Sequence, residues 1–309
     1  MNYYEISDGP NILFLWLNTK EFHAMKAQER GINVEQVFRN VPKILKAIRR
    51  VHIELDLPFI SFWISEWKEK ILDYDVVIIH ASKLTPPVVR YIRRKNPNIR
   101  IIVWYWNPVE KSVGLGKFEN DGVEIWSFDE YDCEKYKIKY NTQYYFKNVV
   151  LPKTDNNIDV FFVGGDKGRI GELVNLKTQL DNQGISNYFH ITLTGKENPN
   201  YKEFYSNRIS YDEVLKHIAS CKVIVDYVSD NQSGLTLRPL EALFYKKKLI
   251  TNDKSIENRD FYCKDNIFII GKDEFKDLKV FIEAPYREIR ENVVSRYDFS
   301  EWINRFLLD

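Results

Sequence analysis

Short, nearly continuous apolar runs punctuate this chain: Ile12–Leu17, Val76–His80, Ile101–Tyr105, Val123–Trp126, Val160–Val163, His190–Leu193, Val223–Tyr227, Lys248–Thr251 and Ile267–Ile270. Continuous runs, unlike alternating ones, fit strands covered on both faces, as in parallel sheets. Helical segments are expected between them. Pro86–Arg94 opens on proline, which suits a first helical turn. Arg169–Gln183 stops before Gly184, which can take the left-handed conformation that ends helices. Tyr211–Ser220 follows Ser210, and Glu213 completes a capping box. A short helix is expected over Pro239–Tyr245. Tyr286–Leu308 reads as helical with a polar break at Tyr297–Ser300, its last helix packing across a hinge. Strand–helix alternation throughout implies the α/β class with parallel sheets.

The polar segment Leu151–Asn157 contains Pro152 and separates two series of strands. The second series restarts at Asp159–Gly165, a strand that runs into a glycine turn. The reading is two tandem Rossmann-like domains, residues 1–152 and 153–309.

Composition narrows the function. The 309 residues are 44 % hydrophobic and 29 % charged, as in a globular protein. A net charge of +1 gives no electrostatic case for a nucleic-acid binder. Cys133, Cys221 and Cys263 lack metal-type spacing and read as reduced thiols of a cytoplasmic protein. The start has no basic leader, and no apolar run approaches the roughly 20 residues of a membrane span. The basic run Arg39–Arg50 is read first as a solvated helix face. Its alternative is peripheral contact with anionic lipid at the inner face of a membrane.

Two segments carry candidate chemistry. In Ser233-Gly-Leu-Thr-Leu-Arg-Pro-Leu-Glu241, a flexible Gly234 leads through Leu235 and Thr236 into a helix expected to start near Pro239. Free N–H groups at such a start suit a phosphate. Arg238 adds a fork of donors, and Glu241, one turn on, can accept from a ribose diol. The plainer reading of Glu241 is an acid placed near a helix N-terminus. In Val160-Phe-Phe-Val-Gly-Gly-Asp-Lys-Gly-Arg169, Gly164 and Gly165 end a strand and bring Lys167 and Arg169 to its carboxyl end, where open α/β sheets bind ligands. A solvated loop is the plain alternative. The segment is neither a P-loop nor a complete dinucleotide fingerprint.

The Ser233–Glu241 segment resembles the donor-site motif of bacterial GT-B glycosyltransferases, in which two glutamates eight positions apart bracket a glycine-rich run. Glu241 matches the second glutamate, which the family associates with ribose; Ser233 stands where the first would be. Tyr105-Trp-Asn-Pro108, Trp126-Ser-Phe-Asp129 and Asp132-Cys133 add similarity to capsule and lipopolysaccharide biosynthesis proteins. The resemblance implies a GT-B α/β fold, two Rossmann-like domains facing a central cleft. It also implies transfer of a hexose from a nucleotide-diphosphate sugar to a surface-polysaccharide or lipid-linked glycan, with closure excluding water. Lys167, Arg169 and Arg238 would hold the diphosphate.

Candidates for the catalytic base are His80 at a strand end, Asn107 and Glu110 after the next strand, and Asp230 near the donor motif. His80 reads equally well as a satisfied strand-end histidine. Asp73 and Asp75 precede a strand and read as loop and strand-entry residues. Asp129 and Asp132 read as helix cap and first-turn acid. No metal or cofactor is expected besides the donor. Two rival functions are a nucleotide-sugar epimerase and a degenerate transferase serving as a partner protein, the latter favoured by Ser233.

Overall fold

The computed structural model describes residues 9–119, 121–154, 157–229 and 234–308. Asp230 and Ser233, two of the candidate site residues, lie outside that set. The chain divides into two units, one up to Thr142 and one from Gln143 onward.

In the first unit, β1 (Ile12–Trp16) leads through α1 (Phe22–Glu29) to β2 (Asn33–Gln36), and α2 (Lys43–Glu54) leads on to β3 (Val76–His80). Then follow α3 (Pro86–Lys95), β4 (Arg100–Tyr105), β5 (Glu124–Ser127), α4 (Glu130–Tyr136) and β6 (Lys139–Tyr140). Among the described residues the strands form one parallel sheet in the order β2-β1-β3-β4-β5-β6. Leu13, Leu15, Val77, Ile79, Ile101 and Val103 point into a core closed by Val88, Val89 and Ile92 of α3. Burial on both faces is why these strands are apolar without alternation.

The second unit repeats the plan. It runs β7 (Ile158–Gly165), α5 (Ile170–Asn182), β8 (Asn187–Thr192), β9 (Tyr205–Ser206), α6 (Tyr211–Ser220), β10 (Cys221–Asp226), α7 (Leu237–Phe244), β11 (Lys248–Thr251) and β12 (Ile267–Ile269). It ends with α8 (Leu278–Glu283), α9 (Glu291–Ser295) and α10 (Phe299–Leu308). Its sheet is parallel, in the order β12-β11-β10-β7-β8-β9. The Ser210 hydroxyl caps α6 by accepting from the Glu213 N–H at 3.2 Å.

Three expectations change in detail. The donor-motif helix begins at Leu237, two residues before Pro239. The basic run Arg39–Arg50 becomes helical only from Lys43, after Pro42. The 286–308 stretch is two helices, α9 and α10, preceded by non-helical 286–290. Within this unit, residues 144–146 lie along the start of α10. Tyr144 packs on Trp302 at 4.3 Å between ring centroids, and Tyr145 bonds through its backbone to Tyr297 and Phe299.

Candidate functional site

In the second sheet, β7 connects to β8 on one side, whereas β10, on its other side, connects away to β11. The β7/β10 pair is therefore the topological switch point, where the following loops part and leave a crevice at the carboxyl ends. The two segments singled out in the sequence flank it. Gly164 and Gly165 end β7, and Lys167 and Arg169 follow it; Gly234, Leu235, Thr236, Arg238 and Glu241 follow β10.

The β7 loop is tightly built. Lys167 and Gly168 both take positive φ, 45° and 83°, a turn that strains the lysine and suits the glycine. Buried Asp166 clasps the loop. It accepts from the Thr194 N–H at 2.8 Å, from the Thr194 hydroxyl and from the Tyr205 hydroxyl at 3.0 Å. Burial acts to raise its pKa, but these bonds win and hold it low. Gly165 is required by packing, since a Cβ there would stand 2.6 Å from Thr194 Cγ2. Lys167 is exposed on the turn. Arg169 is half-buried and crosses the switch point, donating to Ser229 Oγ at 3.4 Å and to the Gly165 carbonyl at 3.3 Å.

Across the crevice stands a charge cluster. Asp226 ends β10, buried, and burial lifts its pKa to about 6 against the pull of Thr236, Arg238 and Arg169. Arg238 forms an ion pair with Glu241, which has no exposed surface. The other carboxylate oxygen of Glu241 accepts from the Tyr211 hydroxyl. Tyr211 shares a 2.8 Å bond with Tyr145, which shares another of 2.8 Å with Tyr245. Burial raises the pKa of Glu241, and Arg238 and Tyr211 oppose that rise. In this arrangement the carboxylate is committed to Arg238 and Tyr211 and is not open to a ribose diol. Leu235 is buried beneath the turn.

The helices that leave the switch point start without a side-chain cap: α5 at Arg169 and α7 at Thr236. Asp129 caps α4 and Ser210 caps α6, whereas α1, α2, α3, α8 and α9 also start without a side-chain cap. Uncapped starts leave N–H donors at the crevice, although Pro239 removes one from α7. A hollow of about 570 Å³ at the opposite edge of this sheet is lined by Lys222, Lys247 and Lys248, among others. Its lysines are committed: Lys247 to the Cys221 carbonyl at 2.6 Å, Lys222 to Asp159 at 2.8 Å and Lys248 to the Phe281 carbonyl.

The first unit has its own switch point between β1 and β3, and His80 ends β3 there. Its ring lies 4.3 Å from that of Trp16 and stacks on Trp106 at 5.5 Å. Burial first, then the charge of His23, pushes its pKa down to about 3. A neutral imidazole that weak takes little proton from a hydroxyl at neutral pH. Glu110 is exposed and paired with Lys135 at 2.8 Å, which holds its pKa low. Neither has the near-neutral pKa that suits a general base. Asp75 accepts from the Asn11 N–H, and Asp129 from the Asp132 N–H, as strand-entry and cap residues do. Among the described residues no group of three His, Cys, Asp or Glu is placed to hold a metal ion.

Sequence reading missed Asp226, Asp166 and the tyrosines. An acid closing the apolar run Cys221–Asp226 was a usable signal for the first. The tyrosines left none, since Tyr145 and Glu241 meet through Tyr211 only after folding.

The architecture is the α/β fold of two Rossmann-like units seen in GT-B proteins. No protein-family model and no curated protein matches the chain. Among solved structures, the lipopolysaccharide outer core galactosyltransferase WaaB in its apo form is similar at a TM-score of 0.51 and 16 % identity, over 96 % of this chain and 98 % of that one. A sucrose-phosphate synthase from Thermosynechococcus elongatus is similar at 0.56 and 11 %, over 96 % and 97 %. TarM is similar at 0.51 and 13 %, over 75 % of this chain and 54 % of its own. At such identities the likeness establishes the fold, and function rests on the site.

Proposed function

We propose that this chain is a glycosyltransferase that moves a sugar from a nucleotide-diphosphate donor to a surface-polysaccharide or lipid-linked glycan of the capsule or lipopolysaccharide type. One observation carries the proposal: Arg169 and Arg238 flank the switch point of the second sheet, where α5 and α7 start uncapped. Two guanidinium groups and the N–H donors of two helix starts suit a diphosphate and would stabilise the charge released as its bond to the sugar breaks. Lys167, exposed on the turn, adds a cation at the rim. These cations are assigned the charge neutralisation that a metal ion supplies elsewhere. Glu241 serves the site by holding Arg238. The work is placed in the cytoplasm, with the acceptor at the inner face of a membrane, met by the segment Arg39–Arg50.

A panel of nucleoside-diphosphate sugars tested by thermal shift decides the matter. One donor should raise the melting temperature of the wild type, and Arg169→Ala should shrink the rise at the same donor concentration. If no donor stabilises the wild type, the reading fails.

The weak basicity of His80 and the pairing of Glu110 favour a second reading, a degenerate transferase that acts as a partner of an active one. It predicts weak or absent donor binding and a stable complex with another transferase.

A further inference from the structure

Helix α2 is thinly anchored. Of its twelve residues, Lys43–Glu54, only Ile53 is buried. Ile44, Ile48 and Val51, with Leu55 just past the end, are exposed at 75, 49, 54 and 65 %. At about 100° per residue these four form a ridge on one face, and Ile53 lies on the opposite one. So short a helix draws its stability mainly from packing its apolar face. In α2 that face is turned to the solvent, which marks it as an interaction surface.

Charge placement narrows the partner. Lys43, Lys46, Arg49 and Arg50 fall on the Ile53 half of the helix. Arg49 is held there, stacking on Phe38 at 4.5 Å and donating to the Arg39 carbonyl at 3.2 Å. The ridge is bordered by Leu45, Ala47, His52 and Glu54. An apolar strip bordered by a single acid and by no lysine or arginine has the make-up of a protein interface core, where charged residues are depleted.

Symmetry selects the partner. Ile44, Ile48, Val51 and Leu55 stand four, three and four residues apart, a spacing that reads the same in both directions. Antiparallel pairing about a two-fold axis sets Ile44 against the partner's Leu55 and Ile48 against the partner's Val51. Each contact is then made twice, as an isologous interface requires, and spacings of three and four are those of helices that interdigitate. The ends of α2 carry opposite charges: Lys43 is its first residue and Glu54 its last, both exposed. On the helical wheel the two share one flank of the ridge, and the same flanks face each other in such a pair. Lys43 therefore comes beside the partner's Glu54, at both ends of the contact. Leu45 is a further 38 % exposed. With the ridge it offers on the order of 500 Å² per copy, so a pair buries about 1,000 Å², the lower bound of a specific interface. We infer that α2 pairs, antiparallel and ridge to ridge, with α2 of a second copy of this chain. The pairing is weak and concentration-dependent. It goes beyond the transferase reading and needs no donor.

Sedimentation velocity of the full chain, from low to high micromolar concentration, tests it. The wild type should pass from monomer to dimer as concentration rises. Ile48→Asp puts a carboxylate in the middle of the seam and should weaken pairing at least about tenfold. Lys43→Glu and Glu54→Lys each turn two attractive pairs into repulsive ones, and each should weaken pairing by about tenfold. Mixed in equal amounts, these two single variants should pair again, because opposite charges then meet at both ends. All three changes fall on exposed side chains, so the melting temperature of the monomer should stay close to that of the wild type. A wild type that stays monomeric overturns the inference, as does a dimer that Ile48→Asp leaves intact. A mixture that pairs no better than either charge variant alone also overturns it. A monomeric wild type that floats with vesicles of phosphatidylcholine and phosphatidylglycerol overturns it in favour of a bilayer. Dimerisation without any donor-induced thermal shift supports it while the transferase reading fails.

Discussion

Arg169 reaches from the turn after β7 to Ser229 in the loop after β10, Nη1 to Oγ 3.4 Å, and so joins the two sides of the switch point in the second sheet. A long contact from this guanidinium to a neutral hydroxyl is easily exchanged for an anionic ligand, because a guanidinium and a phosphate form shorter, often bidentate bonds.

Arg169→Ala should therefore weaken donor binding by about 1.5–3 kcal/mol, or roughly 10- to 150-fold in Kd. Stability should change by less than about 1 kcal/mol, since only two long hydrogen bonds are lost. Isothermal titration with the cognate donor and a urea midpoint check the two halves. An unchanged Kd would remove Arg169 from the site.

Arg238 and Glu241 should behave as a unit. Removing Arg238 leaves the buried Glu241 without its counter-charge, at a cost of about 3–5 kcal/mol, and removing Glu241 strands a half-buried guanidinium at a smaller cost. Replacing both, as Arg238→Met with Glu241→Leu, should cost clearly less than the sum of the single changes. Urea unfolding of the four proteins gives the coupling. Additive losses would show that the pair is not an isolated, tightly coupled charge pair.

Asp226 predicts a pH dependence with a definite sign. Burial raises its pKa from the ordinary value near 3.8 to about 6. A carboxyl raised on folding favours the folded state fully below about pH 4, and that contribution is lost as pH rises through about 6. Asp226→Asn should remove the loss. Relative to wild type, its stability should be flatter between pH 4 and 6 and higher at pH 7.5 by about 1–3 kcal/mol. Melting temperatures across that range decide it, and an asparagine variant less stable at pH 7.5 would refute the prediction.

Gly165→Ala should disturb the β7 turn without touching the sheet core. A Cβ would push on Thr194, whose N–H and hydroxyl hold Asp166. Overpacking of this kind costs about 1–3 kcal/mol, and the turn that carries Lys167 and Arg169 should shift. Loss of donor-induced stabilisation, beyond the drop in the unliganded melting temperature, is the measurement. A donor shift equal to the wild type's would count against the loop.

Much of this protein is legible along the chain. Strands β3 and β11 begin and end where the apolar runs do, and α6 runs from its Ser210 cap as the capping box predicts. These features are local: burial on both faces demands a continuous apolar run, and a cap demands one side chain beside its own helix. Strands β2, β6 and β9 escaped because they are short, partly exposed and close to sheet edges, so little apolar patterning was needed. Strand–helix order placed both candidate loops at carboxyl ends of strands. Only the sheet order, with β10 beside β7, made those two loops neighbours, since strand adjacency depends on long-range pairing. Folding also decided that Glu241 is spent on Arg238 and Tyr211, and that Ile44, Ile48 and Val51 of α2 are exposed. A side chain's partners and exposure follow from which surfaces meet, and no local spacing contains that information.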